Sequence, residues 1–272
     1  MLSSELSTHA HDHYTEAGEH IISHDAKFSD IGNWLKNGWY DMAHAPGVSL
    51  FYGLVMALSV ALLFLVFLQQ PIFMLTVAVA FIILSPFLAT GLYYTAHRLE
   101  NGQKPSLSAS MMAWRGNVSD FALFAVSLIV LGAVWVNSVP FLTAIVLETT
   151  SLLIVEPASG LSGVMFSESG LAFLALFAGM SLLIAAFVFA ISVVTIPLLL
   201  RDKNIGAIQA MILSFQIVME NKKVMTAWAL TIGVMLLIGI ATLGLGMLIV
   251  MPLLGYASWH AFNDLVEIEK PA

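Results

Sequence analysis

The chain has 272 residues, of which 59% are hydrophobic and only 10% charged, with a formal net charge of −7 and a mean hydropathy of +0.92. Soluble domains carry about a quarter charged residues, so this composition excludes an ordinary globular protein and points to an integral membrane protein. The absence of cysteine excludes disulfides, thiolate metal sites and cysteine nucleophiles, and the acidic balance leaves no electrostatic footprint for nucleic acid.

Several apolar runs approach or exceed the roughly 20 residues that cross a hydrocarbon core, and none alternates like a membrane β-strand. The expected fold class is therefore all-α, a polytopic membrane helix bundle. Residues 1–27 carry His9, His11, His13, His20 and His24 among acidic and hydroxyl side chains; too polar to fold alone, they read as a mobile tail. The alternating His9, His11 and His13 form a composition able to hold Zn, Ni or Cu loosely. No other cofactor is expected. No cleavable signal peptide precedes the first apolar run, which is expected to serve as an uncleaved signal anchor.

Residues 28–266 form the transmembrane domain, and residues 267–272 a short tail. Phe28 to Ala45 places Ile31, Trp34, Leu35, Trp39 and Met42 at helical spacing. It reads as an interfacial amphipathic helix, with Trp34, Trp39 and Tyr40 at the headgroup level. Val48 to Leu68 is the first span; Gln69-Gln70-Pro71 turns it into the second, Ile72 to Tyr94. Leu107 to Trp114 is a second interfacial helix. The third span, Phe121 to Val136, is short. Asn137 to Gly170 holds three glutamates and no Lys or Arg, with a re-entrant or surface-lying helix expected over Phe141 to Val155. Leu171 to Leu200 is the fourth span, long enough to tilt or to kink at Pro197. Asn204 to Glu220 is the third interfacial helix, with Ile205, Ile208, Met211, Ile212, Phe215 and Met219 as its apolar stripe. Val224 to Phe262 is 39 residues long, about 58 Å as one helix and near twice the hydrocarbon thickness. Two helices with a turn near Gly239, Gly244 and Gly246 fit better.

All ten Lys and Arg residues fall on one side of this topology, which places both termini in the cytoplasm. The exits Ser85 to Arg98, Thr195 to Arg201 and Met251 to His260 each carry a proline. They predict about six transmembrane helices in three pseudo-repeated hairpins, each preceded by a cytoplasmic interfacial helix. Pro86, Pro197 and Pro252 lie 12, 4 and 8 positions before Arg98, Arg201 and His260, so they do not share one hinge role. His44, His97 and His260 all fall at the cytoplasmic boundary, where they either converge or each sit among interfacial aromatics. No ionisable group lies well inside a span, which argues against a proton pump. No nucleotide-binding or catalytic motif occurs.

Four stretches carry a resemblance: Gly38-Trp39-Tyr40-Asp41 with Ala45-Pro46; Gly91-Leu92-Tyr93 running to Arg98-Leu99-Glu100-Asn101-Gly102; Ile191 to Leu200; and Pro252 to Leu265. Together the chain from Phe28 to Val266 resembles the bacterial integral membrane proteins catalogued as domain-of-unknown-function family 2189. The resemblance implies a bacterial inner-membrane location and little chemistry. A cytochrome oxidase label carried by some relatives does not fit, because the span interiors contain no histidine. The expected partners are membrane lipids and other membrane-protein subunits, with no nucleic acid. Two functions follow as expectations. The first is a non-catalytic accessory or assembly subunit of a larger membrane complex. The alternative is a transporter or permease-like protein for a lipid or neutral small solute.

Overall fold

A computed structural model of the chain describes residues 10–14, 20–147 and 167–269. Strands β1 (Ala10–Tyr14) and β2 (His20–His24) lead into α1 (Phe28–His44), α2 (Pro46–Phe67), α3 (Pro71–Leu88), α4 (Thr90–Glu100) and the short α5 (Leu107–Met111). A 3-10 turn (Ala113–Asn117) precedes α6 (Val118–Val146). Then come α7 (Glu168–Ser192), α8 (Thr195–Arg201), α9 (Ala207–Glu220), α10 (Lys222–Ala241), α11 (Met247–Leu265) and β3 (Val266–Glu269). The fold is mostly helical. Among the described residues, five helical stretches are long and apolar enough to cross a membrane: Pro46–Phe67, Pro71–Glu100, Ala113–Val146, Glu168–Arg201 and Lys222–Ala241. Leu50, Leu54, Leu58, Leu62 and Leu65 show how they meet their surroundings, as an exposed leucine stripe down α2. Water would penalise such a stripe, whereas lipid tails do not.

Helix α11 sits in the middle. Every residue from Met251 to Trp259 is buried, and α1, α2 and α4 all pack against it. Two glycines permit this approach. A Cβ on Gly38 of α1 would come within 2.7 Å of the Ala257 nitrogen, and one on Gly53 of α2 within 2.6 Å of the Leu248 oxygen. The 39-residue apolar run is divided as expected into α10 and α11. In the turn between them, Leu243 (φ 55) and Gly244 (φ 90) adopt left-handed backbone conformations.

The structure corrects several expectations. The class is not purely helical: β1, β2 and β3 form an antiparallel sheet in that order, with Ile21 opposite His13 on one side and Ile268 on the other. Part of the segment read as a mobile tail is thus paired. Its anchors are buried Ile21 and Ser23 and a set of histidine–carboxylate contacts described below. The third span does not stop at Val136. Asn137 Nδ2 donates to the Ala133 carbonyl (2.8 Å) and Ser138 Oγ to that of Val134 (2.7 Å). Satisfying polar side chains on the preceding turn lets α6 run on through Pro140 to Val146. The first six residues of the proposed Phe141 to Val155 helix belong to α6; residues 148–166 lie outside the described part.

Trp34 is fully buried instead of lying at the headgroup level, with its ring edge-on to Trp228 at 5.5 Å. Trp39 and Tyr40 do face outward. In α9, Ile208, Ile212, Phe215 and Met219 are exposed, while Ala210, Leu213, Ser214 and Ile217 pack inward. Of the predicted stripe, Ile205 and Met211 pack on the core, whereas the other four residues form an unpartnered face. The break between α7 and α8 falls at Val193 and Val194, just ahead of Pro197, which has no N–H to bond the Val193 carbonyl and whose ring crowds it, favouring a break there.

Candidate functional site

The ends of α4, α8 and α11 are the three exits seen in the sequence, and they meet. Glu100 at the end of α4 accepts hydrogen bonds at Oε2 from Trp259 Nε1 (3.1 Å) and Asn263 Nδ2 (3.2 Å) of α11. Arg201 at the end of α8 donates from Nη1 to Asn263 Oδ1 (3.1 Å), and its guanidinium carbon lies 5.7 Å from the Phe262 ring centre. His97 stands 5.2 Å from the Trp259 ring, with Nδ1 3.9 Å from Glu100 Oε2.

The opposite flank of α11 is tied to α1. His260 Nε2 lies 2.8 Å from Asp41 Oδ2, and Trp34 Nε1 donates to Asp264 Oδ2 at 2.6 Å. The spacing explains the division. Trp259 and Asn263 are four residues apart and share one face; His260 and Asp264 share the next. One turn deeper, Ser49 and Tyr256 join α2 to α11 through their hydroxyls at 3.1 Å.

The three boundary histidines therefore take three different partners. His97 faces Trp259 and Glu100, and His260 faces Asp41. His44 Nδ1 lies 2.8 Å from the Tyr40 carbonyl, its ring 4.0 Å from that of Tyr40. Of the histidines at the start of the chain, His9 lies outside the described residues. His11 and His13 share one face of β1. His11 lies 3.9 Å from Asp25, while His13 lies 3.2 Å from Ser23 Oγ and 3.4 Å from Glu220. Among the described residues no group of three or more His, Asp or Glu side chains is arranged to hold a metal ion.

His20 is the most heavily engaged. Its Nδ1 lies 2.8 Å from Glu269 and its Nε2 2.8 Å from Asp12. Two acceptors on both ring nitrogens are satisfied together only by the doubly protonated ring. The hydrogen bond to Glu269, then that to Asp12, raises its pKa above the ordinary imidazole value. His24 adds a contact to Glu267 at 3.1 Å. Ser23 Oγ donates to Glu220 (2.6 Å), and the Ala26 N–H to Asn221 Oδ1 (2.8 Å), fixing the sheet to the end of α9.

Sequence reasoning found the three exits and their histidines but not Glu100, Asn263, Asp264 and Asp41 as their partners. The available signal was the i, i+4 pairing of polar residues at the end of an otherwise apolar run. A bundle of apolar helices closed by a polar collar on one side defines an integral membrane protein. Residues 72–201, from α3 to the end of α8, match the model of the family described as predicted integral membrane protein (DUF2189). This is the family that the sequence motifs resemble; the stretches at Gly91 to Gly102 and Ile191 to Leu200 lie inside the match. No curated protein and no solved structure matches the chain.

Proposed function

We propose that this protein is a non-catalytic accessory or assembly subunit that docks in the bacterial inner membrane against a larger complex. The observation carrying the reading is the position of α11. A transporter for a lipid or neutral solute needs an open path through the bundle, and the reading is supported by α11 being buried over nine consecutive residues and packed against α1, α2 and α4. The crevice at its flank, between α2, α3 and α10, measures about 100 Å³ and is walled by apolar side chains such as Met56, Phe64, Phe81 and Leu236. In the membrane-crossing stretches charged residues keep to the ends: Asp120 in α6, Glu168 in α7, Lys222 and Lys223 in α10. The exposed face of α9, with Ile208, Ile212, Phe215 and Met219, supports contact with lipid or a neighbouring subunit.

The same reading includes six crossings with both termini cytoplasmic. Pairing of β2 with β3 supports it, because strands on opposite sides of a bilayer cannot share backbone hydrogen bonds. An even number of crossings must then separate them, and α11 supplies the sixth. Its modest hydropathy suits a helix surrounded by protein, and its polar last turns suit the boundary. The grouping of Lys and Arg at the ends joined by α5 and α9 supports the cytoplasmic assignment.

Purification of the full-length chain in mild detergent, followed by mass spectrometry of the intact assembly, tests the proposal. A partner subunit at fixed stoichiometry is expected. Recovery of the chain alone, at several detergent strengths, removes it.

A further inference from the structure

Beside the polar collar lies a cavity of about 320 Å³, framed by α4, α5 with the 3-10 turn that follows it, and the end of α8. This volume is within the range of small-ligand sites. Its walls are apolar at Met112, Leu199 and Leu200, and its polar side chains are Tyr94, Asn117 and Lys203. No carboxylate lines it. Of the nearest acids in sequence, Asp120 Oδ1 accepts from the Ala207 N–H (2.9 Å) and Asp202 Oδ1 from the Asn204 N–H (2.9 Å), while Asp202 Oδ2 is buried without a partner among the described residues and does not line the cavity.

Three observations give the cavity a sign. First, Asn117 Nδ2 is buried and has no hydrogen-bond partner among the described residues. A buried amide donor without an acceptor has lost its hydration uncompensated, so native proteins normally supply a partner. Second, Asn117 is the N-cap residue of α6, yet its side chain makes no capping hydrogen bond. Capping is the usual role of asparagine there; here the residue lines the cavity and leaves the start of a 29-residue helix uncapped by its side chain. Third, Lys203 lies over Gly116: a Cβ built there would sit 3.6 Å from Lys203 Cε and 4.0 Å from Nζ. Lys203 has no ion pair among the described residues. Two further cations flank the site, Arg98 with its guanidinium carbon 5.9 Å from the centre of the Tyr94 ring and Arg115 at 5.8 Å from that of Trp114.

A lysine and an orphan amide donor together ask for an anion such as phosphate. The apolar walls, and the exposed Met111, Met112 and Trp114 around them, ask for an amphiphile. We propose that this cavity binds a phosphate-bearing ligand, and that its source is the headgroup of an anionic phospholipid seated at the membrane boundary. The subunit reading above is not required for it.

The test uses the full-length protein in a neutral maltoside detergent, with thermal unfolding followed during titration by short-chain phosphatidylglycerol, short-chain phosphatidylcholine or inorganic phosphate. Phosphatidylglycerol is expected to raise the midpoint saturably, and phosphatidylcholine to act at least tenfold more weakly. Lys203→Met and Asn117→Leu should each weaken the phosphatidylglycerol effect about tenfold, and Asn117→Asp should abolish it. Lys36→Met, on α1, should leave it unchanged. Lys203 is exposed, so its variant keeps the unliganded midpoint and reports binding without a folding defect. If inorganic phosphate alone reproduces the saturable shift through the same two residues, the anion site stands and the lipid source is wrong. An equal response to both lipids, or a response unaltered by Lys203→Met and Asn117→Leu, overturns the proposal.

Discussion

Gly38 sets how closely α1 approaches α11, and Gly32, two turns earlier in the same helix, is a built-in control. A Cβ at position 38 meets backbone atoms of Leu253 and Ala257 at 2.9 and 2.7 Å, whereas one at position 32 meets nothing within 4 Å. Backbone cannot yield as a flexible side chain does, so Gly38→Ala is expected to cost about 1–3 kcal/mol through forced separation of the helices. Gly32→Ala should be neutral or stabilising by up to about 1 kcal/mol from helix propensity. Thermal unfolding of both variants in detergent decides the point, and equal midpoints would show that the α1–α11 contact is not tight. His20 supplies a pH dependence. Its folded pKa is raised, chiefly by Glu269 and then Asp12. Its contribution is therefore complete below the unfolded value of about 6.5 and is lost as pH rises through the higher folded value. NMR titration of the histidine rings should give a midpoint above the ordinary one for His20 and a return towards it in Glu269→Gln. An unshifted midpoint in the native protein would mean that the two carboxylates do not hold the ring. Neither partner could be read from the sequence: Glu269 lies 249 positions from His20, and no local pattern pairs them. Trp34 was legible as an apolar position on a helix, but not which way it faced, because Asp264, which takes its N–H, is also remote.

Elements were more legible than contacts, because periodicity and length are local and partners are not. The apolar run from Val224 was divided correctly since one helix of that length overshoots the bilayer, and glycines marked the fold-back. The third span was cut short because Asn137 and Ser138 read as an end, although both side chains bond to the preceding turn and leave the helix intact. The turn between α10 and α11 has a further consequence. Leu243 holds a left-handed backbone (φ 55) while its side chain is 65% exposed, so no burial offsets the steric cost of about 1–2 kcal/mol. Leu243→Gly is expected to be neutral to stabilising by up to about 1 kcal/mol, the gain being reduced by glycine's larger unfolded-state entropy. Gly244→Ala should be clearly destabilising. It combines φ 90 with a Cβ only 2.8 Å from the Ala57 carbonyl oxygen and 3.0 Å from Val60 Cβ. Opposite signs at adjacent positions in unfolding experiments are the expected signature; loss of stability in both would mean that the turn conformation is different. The prolines behave as their unequal spacing implied, since Pro197 follows a break, Pro86 precedes one at Ala89, and Pro252 sits within unbroken α11.

At the scale of the whole molecule, the sheet joins the two ends of the chain, and that join constrains the topology more tightly than hydropathy does. Hydropathy identifies five candidate crossings among the described residues; an odd number would leave β2 and β3 on opposite faces of the membrane, where Ile21 and Ile268 could not pair. The sequence lacked this constraint because β1, β2 and β3 are each five residues or fewer and rich in charged and imidazole side chains, so they carry no strand signal of their own. Charge distribution reached the same parity independently, since lysine and arginine are absent from Gln69 to Pro71 and from Gly239 to Gly246. The absence of cysteine makes a direct test clean, because every introduced thiol is the only one. Lys27→Cys, Gln103→Cys and Glu267→Cys are expected to react with a membrane-impermeant maleimide in inside-out vesicles and to be protected in intact spheroplasts. Gln69→Cys and Leu243→Cys, both exposed at the opposite turns, should show the reverse. Labelling of positions 27 and 267 from opposite sides would break the β2–β3 pairing and remove the proposed sixth crossing through α11. Labelling of both from outside would preserve the parity and invert the orientation, separating the argument from the sheet from the argument from charge.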